Sequence, residues 1–458
     1  MIRDRFGSTH GTSSLDAVNA FEEAIHGVAA HRPSAAEALG RALSADPAMV
    51  AAHALRGFAN VMLARAELLP VARGAHADAV AASAGGSTTA SERALTDALG
   101  DAVAGRLQAA ADRLDSHLDA SPREFLHAKI AHSLRFMAGD LDGMLLGTAR
   151  LIDAWREDAP GYGFLLGCHA FALEEKGEFD AAERIGRRAV ELAPDDAWGL
   201  HAVGHVYEMQ GRVDDGIAWI EAKRPVCTAC NNFSFHMAWH LSLFHLERGE
   251  HERVLALYDS EVRPRSTDDF RDMSNAVSLL WRLEQEGVAV GDRWDEVRAI
   301  ASRRRADTTL TFACLHNLLA LVATGQRDEA LDLVEAMSER ARNAAPTGIA
   351  RQMGGDQATV MNDVGRDLGR VVLALCGESD RGPVDYGQLA HKLTGIGGSH
   401  AQRDVFLRTL AALATDRRDR IGLEQVLSVR RRIKRDDRFE AQLQARIGSR
   451  REGARALV

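Results

Sequence analysis

Helical apolar patterns run through most of this chain. They are broken by short turns made of a glycine and polar residues, at Gly139 (GDLD), Gly177 (GEFDAA), Gly211 (GRVDDG), Gly249 (GEHERV), Gly287 and Gly325 (GQRDEA). The spacings between these glycines are 38, 34, 38, 38 and 38 residues. A period of this size predicts stacked helix-turn-helix units, each burying its apolar face only against its neighbours. Residues 12–83 show hairpins of the same kind (LSADPAMVAAHALRGFANVMLARAE), and the Gly/Ser/Thr stretch from Ala84 to Thr89 reads as a loop.

The composition strengthens the helical reading. The chain has 458 residues, 46% of them apolar, with ten prolines and 5% aromatics, and is rich in Ala, Leu, Arg and Glu. The expectation is an all-α protein with one continuous superhelical domain over residues 12–430: N-terminal hairpins at 12–83, central repeats at 90–340 and C-terminal helices at 341–430. Residues 1–11 are expected to be flexible. Residues 431–458 read as a basic terminal helix or tail, part of a solvated cap running from Arg430 to Arg455. A formal charge of −9 without a long basic run excludes nucleic acid and anionic membranes as main partners. The partners this leaves are a small-molecule substrate and a protein or second copy of the chain. No stretch approaches the roughly 20 apolar residues of a membrane span, and the polar start lacks a secretory core, so a cytoplasmic location is expected. The cysteines, Cys168, Cys227, Cys230, Cys314 and Cys376, are too irregular for a disulfide framework. Cys227 and Cys230 form a lone CxxC, half of a zinc or redox signature, directly before a histidine-bearing helix.

Within these units the chain resembles the tetratricopeptide repeat. Ala182, Ala189 and Pro194 fall where that repeat places its second-helix small residues and closing proline, and Gly204 and Tyr207 match its first-helix Gly and Tyr. The implied fold is an α-solenoid of stacked hairpins curling around a concave groove. In the register it implies, with the turn glycine at position 15, positions 2, 5, 6, 9 and 12 face the groove. His201, His205 and Glu208 take positions 5, 9 and 12 of one unit, His236 and His240 take 2 and 6 of the next, and His316 takes 6 of a later one. Trp198 and Trp239 also fall on the groove side, where they either wall a substrate pocket or pack the superhelix. His169 and His245 fall at packing positions.

Two His pairs at i, i+4, His201/His205 and His236/His240, aim both rings of each pair at one helix face, which is metal-ligand spacing. A further segment, Ile396 to Asp404, carries Ser399 and Gln402 as a capping box and puts His400 at the first helical position. There His400 is a candidate sixth ligand, Arg403 an anchor for a substrate carboxylate, and Asp404 an outer partner. Glu208 is the carboxylate that decides the chemistry. As a ligand it favours iron, manganese or zinc, and as a bystander it favours copper; it is also a candidate general base.

The stretches DDAWGLHAVGHVYEMQGRVDDGIAWI, FHMAWHLSLFHLERGEHERVLALYD, SLLWRLEQEG and GGSHAQRD stand in the order seen in the tetratricopeptide repeat protein 38 family, which the chain resembles from about residue 12 to about residue 415. The resemblance implies the helical superhelix and no settled reaction. CHAFALEE at Cys168–Glu175 departs from it. The expected function is a metal-dependent enzyme acting on a small molecule in the groove, oxidative rather than hydrolytic, with a mono- or dinuclear centre drawn from His201, His205, His236, His240, His316 and His400. The alternatives are a scaffold that binds a peptide or protein in the same groove and, as a minor option, haem held between histidines.

Overall fold

A computed structural model describes residues 1–344, 355–377, 384–434 and 437–445. The described chain is almost wholly helical, and successive helices pack on their neighbours. All six glycines that set the period adopt positive φ, from +68° to +81°, at the ends of helices. A Cβ is strained in that region, which is why glycine ends these helices. At Gly139 the turn is also crowded, since a Cβ there would stand 2.2 Å from the carbonyl oxygen of Thr394.

The hairpins form two kinds of helix. Phe179–Leu192 buries Ala182, Gly186, Ala189 and Val190, a single stripe at helical spacing, and leaves its other face in solvent. Tyr162–Glu175, Ala197–Met209 and Phe233–Glu247 are instead buried on nearly every side. An all-round buried helix needs partners on both flanks, and part of the second flank is supplied by a helix from much later in the chain. The helix His400–Asp416 packs on Phe270–Gln285, where Arg282 donates to the Ala401 carbonyl at 2.8 Å and Trp281 Nε1 to Thr409 Oγ1 at 2.9 Å, and it reaches the inner layer through Arg403, which donates to Glu175 at 2.7 Å. Part of the layer that the repeat register turns toward an open groove is therefore covered by a later helix of the protein itself: His316 meets Phe406 of His400–Asp416, and Glu175 meets Arg403.

Both termini depart from expectation. Residues 2–10, expected to be flexible, form a two-strand antiparallel hairpin, Ile2–Arg3 with Thr9–His10, that buries Phe6, Asp4, Ser8 and His10. His10 Nε2 donates to Asp4 at 2.8 Å, so the hairpin carries its own polar core. The start of the basic tail is no solvated cap either. Arg430, Lys434, Phe439 and Leu443 are buried, and Arg430 is held between Asp404 and Asp437. The remainder of that tail, 446–458, lies outside the described residues.

Buried neutral imidazoles make stability depend on pH. Burial pulls His169, bonded through Nδ1 to Thr148, down to about 4, and pulls His316 down to about 3 against its bond to the Phe312 carbonyl. In the unfolded chain such rings titrate near 6.5. Their folded values are depressed, so the stability they allow is complete above pH 6.5 and is lost as pH falls towards 4 and below. Each ring contributes a slope of up to about 1.4 kcal/mol per pH unit in that window. Urea unfolding at stepped pH checks this, and a flat profile from pH 7 to 4 contradicts it.

Candidate metal centre

Asp196 begins the helix Ala197–Met209, its Oδ1 accepting from the Trp198 N–H at 3.2 Å, and the helix presents His201 and His205 on one face. Phe233–Glu247 presents His236 and His240 towards them. One ligand atom from each of the four rings lies within 4.8 Å of the others. Three of them make a tight triangle: the Nε2 atoms of His201 and His236 are 2.9 Å apart, those of His201 and His240 3.1 Å, and those of His240 and His236 3.2 Å. A metal with bonds of about 2.0–2.1 Å in tetrahedral geometry holds its nitrogens about 3.3 Å apart, close to this spacing.

The protons on these rings are set from behind. His240 Nδ1 is 2.9 Å from Glu208 Oε2, and a carboxylate only accepts, so the hydrogen sits on Nδ1. His236 Nδ1 donates in the same way to Asn275 Oδ1 at 3.0 Å. Both rings then point bare Nε2 lone pairs at one another across 3.2 Å, where neither has a proton to share. His201 can donate one Nε2–H between them, yet its Nδ1 is then a buried atom without a partner. Burial, followed by the neighbouring rings, holds His201, His236 and His240 well below the usual imidazole range, with Asn275 opposing at His236. Protonation is thus a costly way to relieve the triangle, and a bound cation satisfies all three nitrogens.

His205 extends the cluster. Its ring centroid is 4.3 Å from that of His201 and 4.5 Å from that of His240, and neither of its nitrogens has a hydrogen bond. Its Nδ1 lies 3.3 Å from Glu174 Oε2 without a hydrogen bond between them, unlike the bonded pair of Glu208 and His240. Glu174, Glu175 and His205 form a second group with metal-ligand spacing. Burial, then the charge of Glu175, pushes the Glu174 carboxyl well above its usual value. Lys434 backs Glu208 from outside, 3.6 Å from its Oε1 and 3.1 Å from Glu247. Against burial, Glu247 and then Glu208 hold that ammonium above its ordinary range.

Several residues chosen from the sequence do not join the four. His316 packs its ring against Phe312 and Phe406 and bonds the Phe312 carbonyl. His400 has both ring nitrogens engaged: Nε2 donates to the Glu175 carbonyl at 2.8 Å, and Nδ1 accepts from Arg403 at 3.0 Å. The six candidate histidines therefore do not form one centre: four converge, and His316 and His400 are engaged elsewhere. Arg403 is spent on Glu175 and on the Gly398 carbonyl, with 3% of its surface exposed, so it is a buried ion-pair partner and no carboxylate anchor. Asp404 pairs with Arg430. Glu208 orients His240 from its Nδ1 side and does not point into the triangle as a ligand or base. Trp239 is fully buried, stacked on His236 with Nε1 donating to Ser278 at 3.0 Å, which removes it from any substrate wall. Trp198 is half-buried beside His201 and Phe233, and the Lys129 ammonium sits 4.9 Å over its ring. The capping box of Ser399 and Gln402 forms as expected. His169 and His245 pack as expected, the latter against Glu250. Cys227 and Cys230 are buried free thiols, both pushed up by burial, to about 12 and about 11.

Asn275, Glu174 and Lys434 are the additions from structure. Replacing Glu208 with alanine is expected to weaken metal binding by about 10–100-fold, since the bond that fixes the tautomer and aim of His240 is lost. A competition titration against a chelator measures it, and an unchanged Kd contradicts the role given to Glu208. No protein-family model matches the chain.

Proposed function

We propose that this protein is a metal-dependent enzyme whose single transition-metal ion is bound by the Nε2 atoms of His201, His236 and His240, with His205 as the fourth ligand. The observation that carries the proposal is the converging triangle of nitrogens, two of them held as bare lone pairs by Glu208 and Asn275. With Glu208 behind His240, the ligand set is all imidazole, which favours copper over iron, manganese or zinc. Copper held there supplies one-electron redox chemistry, so oxidation of a small molecule is the reaction class. The chain's own part is to fix the rings and keep them neutral. Of the four histidines, His236 alone is half-buried, so the approach for substrate is from its side, next to Phe233.

The wider frame of this proposal is a tetratricopeptide-like superhelix of the tetratricopeptide repeat protein 38 kind, supported by the recurring hairpins and their left-handed glycines. A peptide-binding scaffold is the weaker reading, because the helix His400–Asp416 takes up part of the inner layer where a peptide would lie. The test is metal analysis of protein purified without a histidine tag, with electron paramagnetic resonance of the Cu(II) form. Nitrogen-only coupling to copper supports the proposal. Zinc as the native ion overturns its oxidative half, and a central site that binds neither ion overturns it whole.

A further inference from the structure

A second convergence of ligand atoms lies outside this centre, where the N-terminal hairpin meets the helices Ala90–Val103, Leu107–Ala120 and Phe125–Ala138. His117 ends one helix, Glu124 stands just before the next, and His127 lies in its first turn. Glu124 Oε2 is 3.1 Å from His117 Nε2 and 3.2 Å from His127 Nδ1, and the three ligand atoms lie within 4.8 Å of one another.

The proton positions again leave a gap. His127 Nε2 is 3.1 Å from the Ser91 carbonyl oxygen, which only accepts, so its hydrogen is on Nε2. The fully buried neutral ring then faces its Nδ1 lone pair towards the Glu124 carboxylate. That nitrogen makes no hydrogen bond despite the short separation. The same Oε2 accepts from Ser91 Oγ at 2.7 Å and Ser8 Oγ at 3.3 Å, hydroxyls placed as an outer shell that orients the carboxylate. Asp4 adds negative charge within electrostatic reach of His127. Atom separations of 3.1 and 3.2 Å match neighbouring ligands on an ion with bonds of about 2.1 Å.

We infer that His117, Glu124 and His127 bind a second divalent cation, of the kind that two imidazoles and one carboxylate select, such as Zn2+, and that this ion ties the helix Leu107–Ala120 to the start of Phe125–Ala138. His117 is the partly accessible member, so the ion enters from its side. The site shares no residue with the four-histidine centre.

The probe is Zn2+, added to metal-stripped, untagged full-length protein and counted after gel filtration. His117→Ala is expected to hold one equivalent fewer than wild type, with Zn2+ affinity at that site reduced at least about 100-fold. Helical circular dichroism should be retained, because His117 lies at a partly exposed helix end. Glu124→Gln, which keeps the shape and removes the anionic ligand, should lose the same equivalent. Equal zinc content in wild type and both variants overturns the inference. A failure of the four-histidine centre reads separately, as equal zinc content in wild type and a His201→Ala/His240→Ala variant.

Discussion

Replacing both His201 and His240 with alanine is expected to remove the central metal completely while leaving a folded, helical protein. Each substitution deletes one corner of the nitrogen triangle, and what remains, His236 and His205, comes from different helices without the third nitrogen that closes the site. His201→Ala, His236→Ala and His240→Ala alone should each weaken the metal by at least about 100-fold, more than loss of an outer-shell partner. His205→Ala should cost less, since its ring stands beside the triangle and not in it. Titration of the four single variants and the double variant, with circular dichroism as the folding control, distinguishes this gradient from a structural histidine cluster. In a structural cluster the variants would change stability and leave metal content untouched.

Arg430→Ala is expected to destabilise the fold by about 3–5 kcal/mol, the cost of removing one partner from a buried ionic group. Its guanidinium has 1% of its surface exposed and bonds Asp404 at 2.7 Å and Asp437 at 2.9 Å, so its loss strands two carboxylates away from water. Arg282, 3.9 Å from Asp404, and Lys434 are left to offset them in part. Replacing Arg430 and Asp404 together with apolar residues should recover some of the loss, because it leaves one stranded carboxylate, Asp437, where the single substitution leaves two. Urea denaturation measures both. The substitution also loosens the segment that carries Lys434 to Glu208, so a fall in metal affinity is expected alongside.

The helical repeat was legible because its punctuation is chemical. A helix end that needs positive φ selects glycine, and six glycines at near-constant spacing mark six such ends. The histidine pairs were legible for a similar reason, since i, i+4 spacing sets two rings on one face whatever surrounds them. Glu174 was within reach of the same rule: it stands 34 residues before Glu208, three residues before its own turn glycine, and the structure puts it beside His205. What local pattern could not supply is the fate of the groove. Nothing in the register of the inner helices says that His400–Asp416 and Lys434 will reach them, because that packing joins residues more than 200 positions apart. Arg403, His400 and Trp239 read as substrate or metal contacts only while the inner layer is taken as open. Once covered, a buried arginine must find a carboxylate, and Glu175 is the one it meets. The folded N-terminus was hidden in the same way, since two-residue strands carry no periodicity and Asp4 and His10 find their partners only in three dimensions.

The most direct measurement is anomalous diffraction at the copper edge from crystals of untagged protein. The expected result is one strong peak about 2.0–2.1 Å from the Nε2 atoms of His201, His236 and His240. Density showing the three rings joined only by hydrogen bonds, with no ion between them after copper loading, would contradict the metal centre on which the proposed function stands.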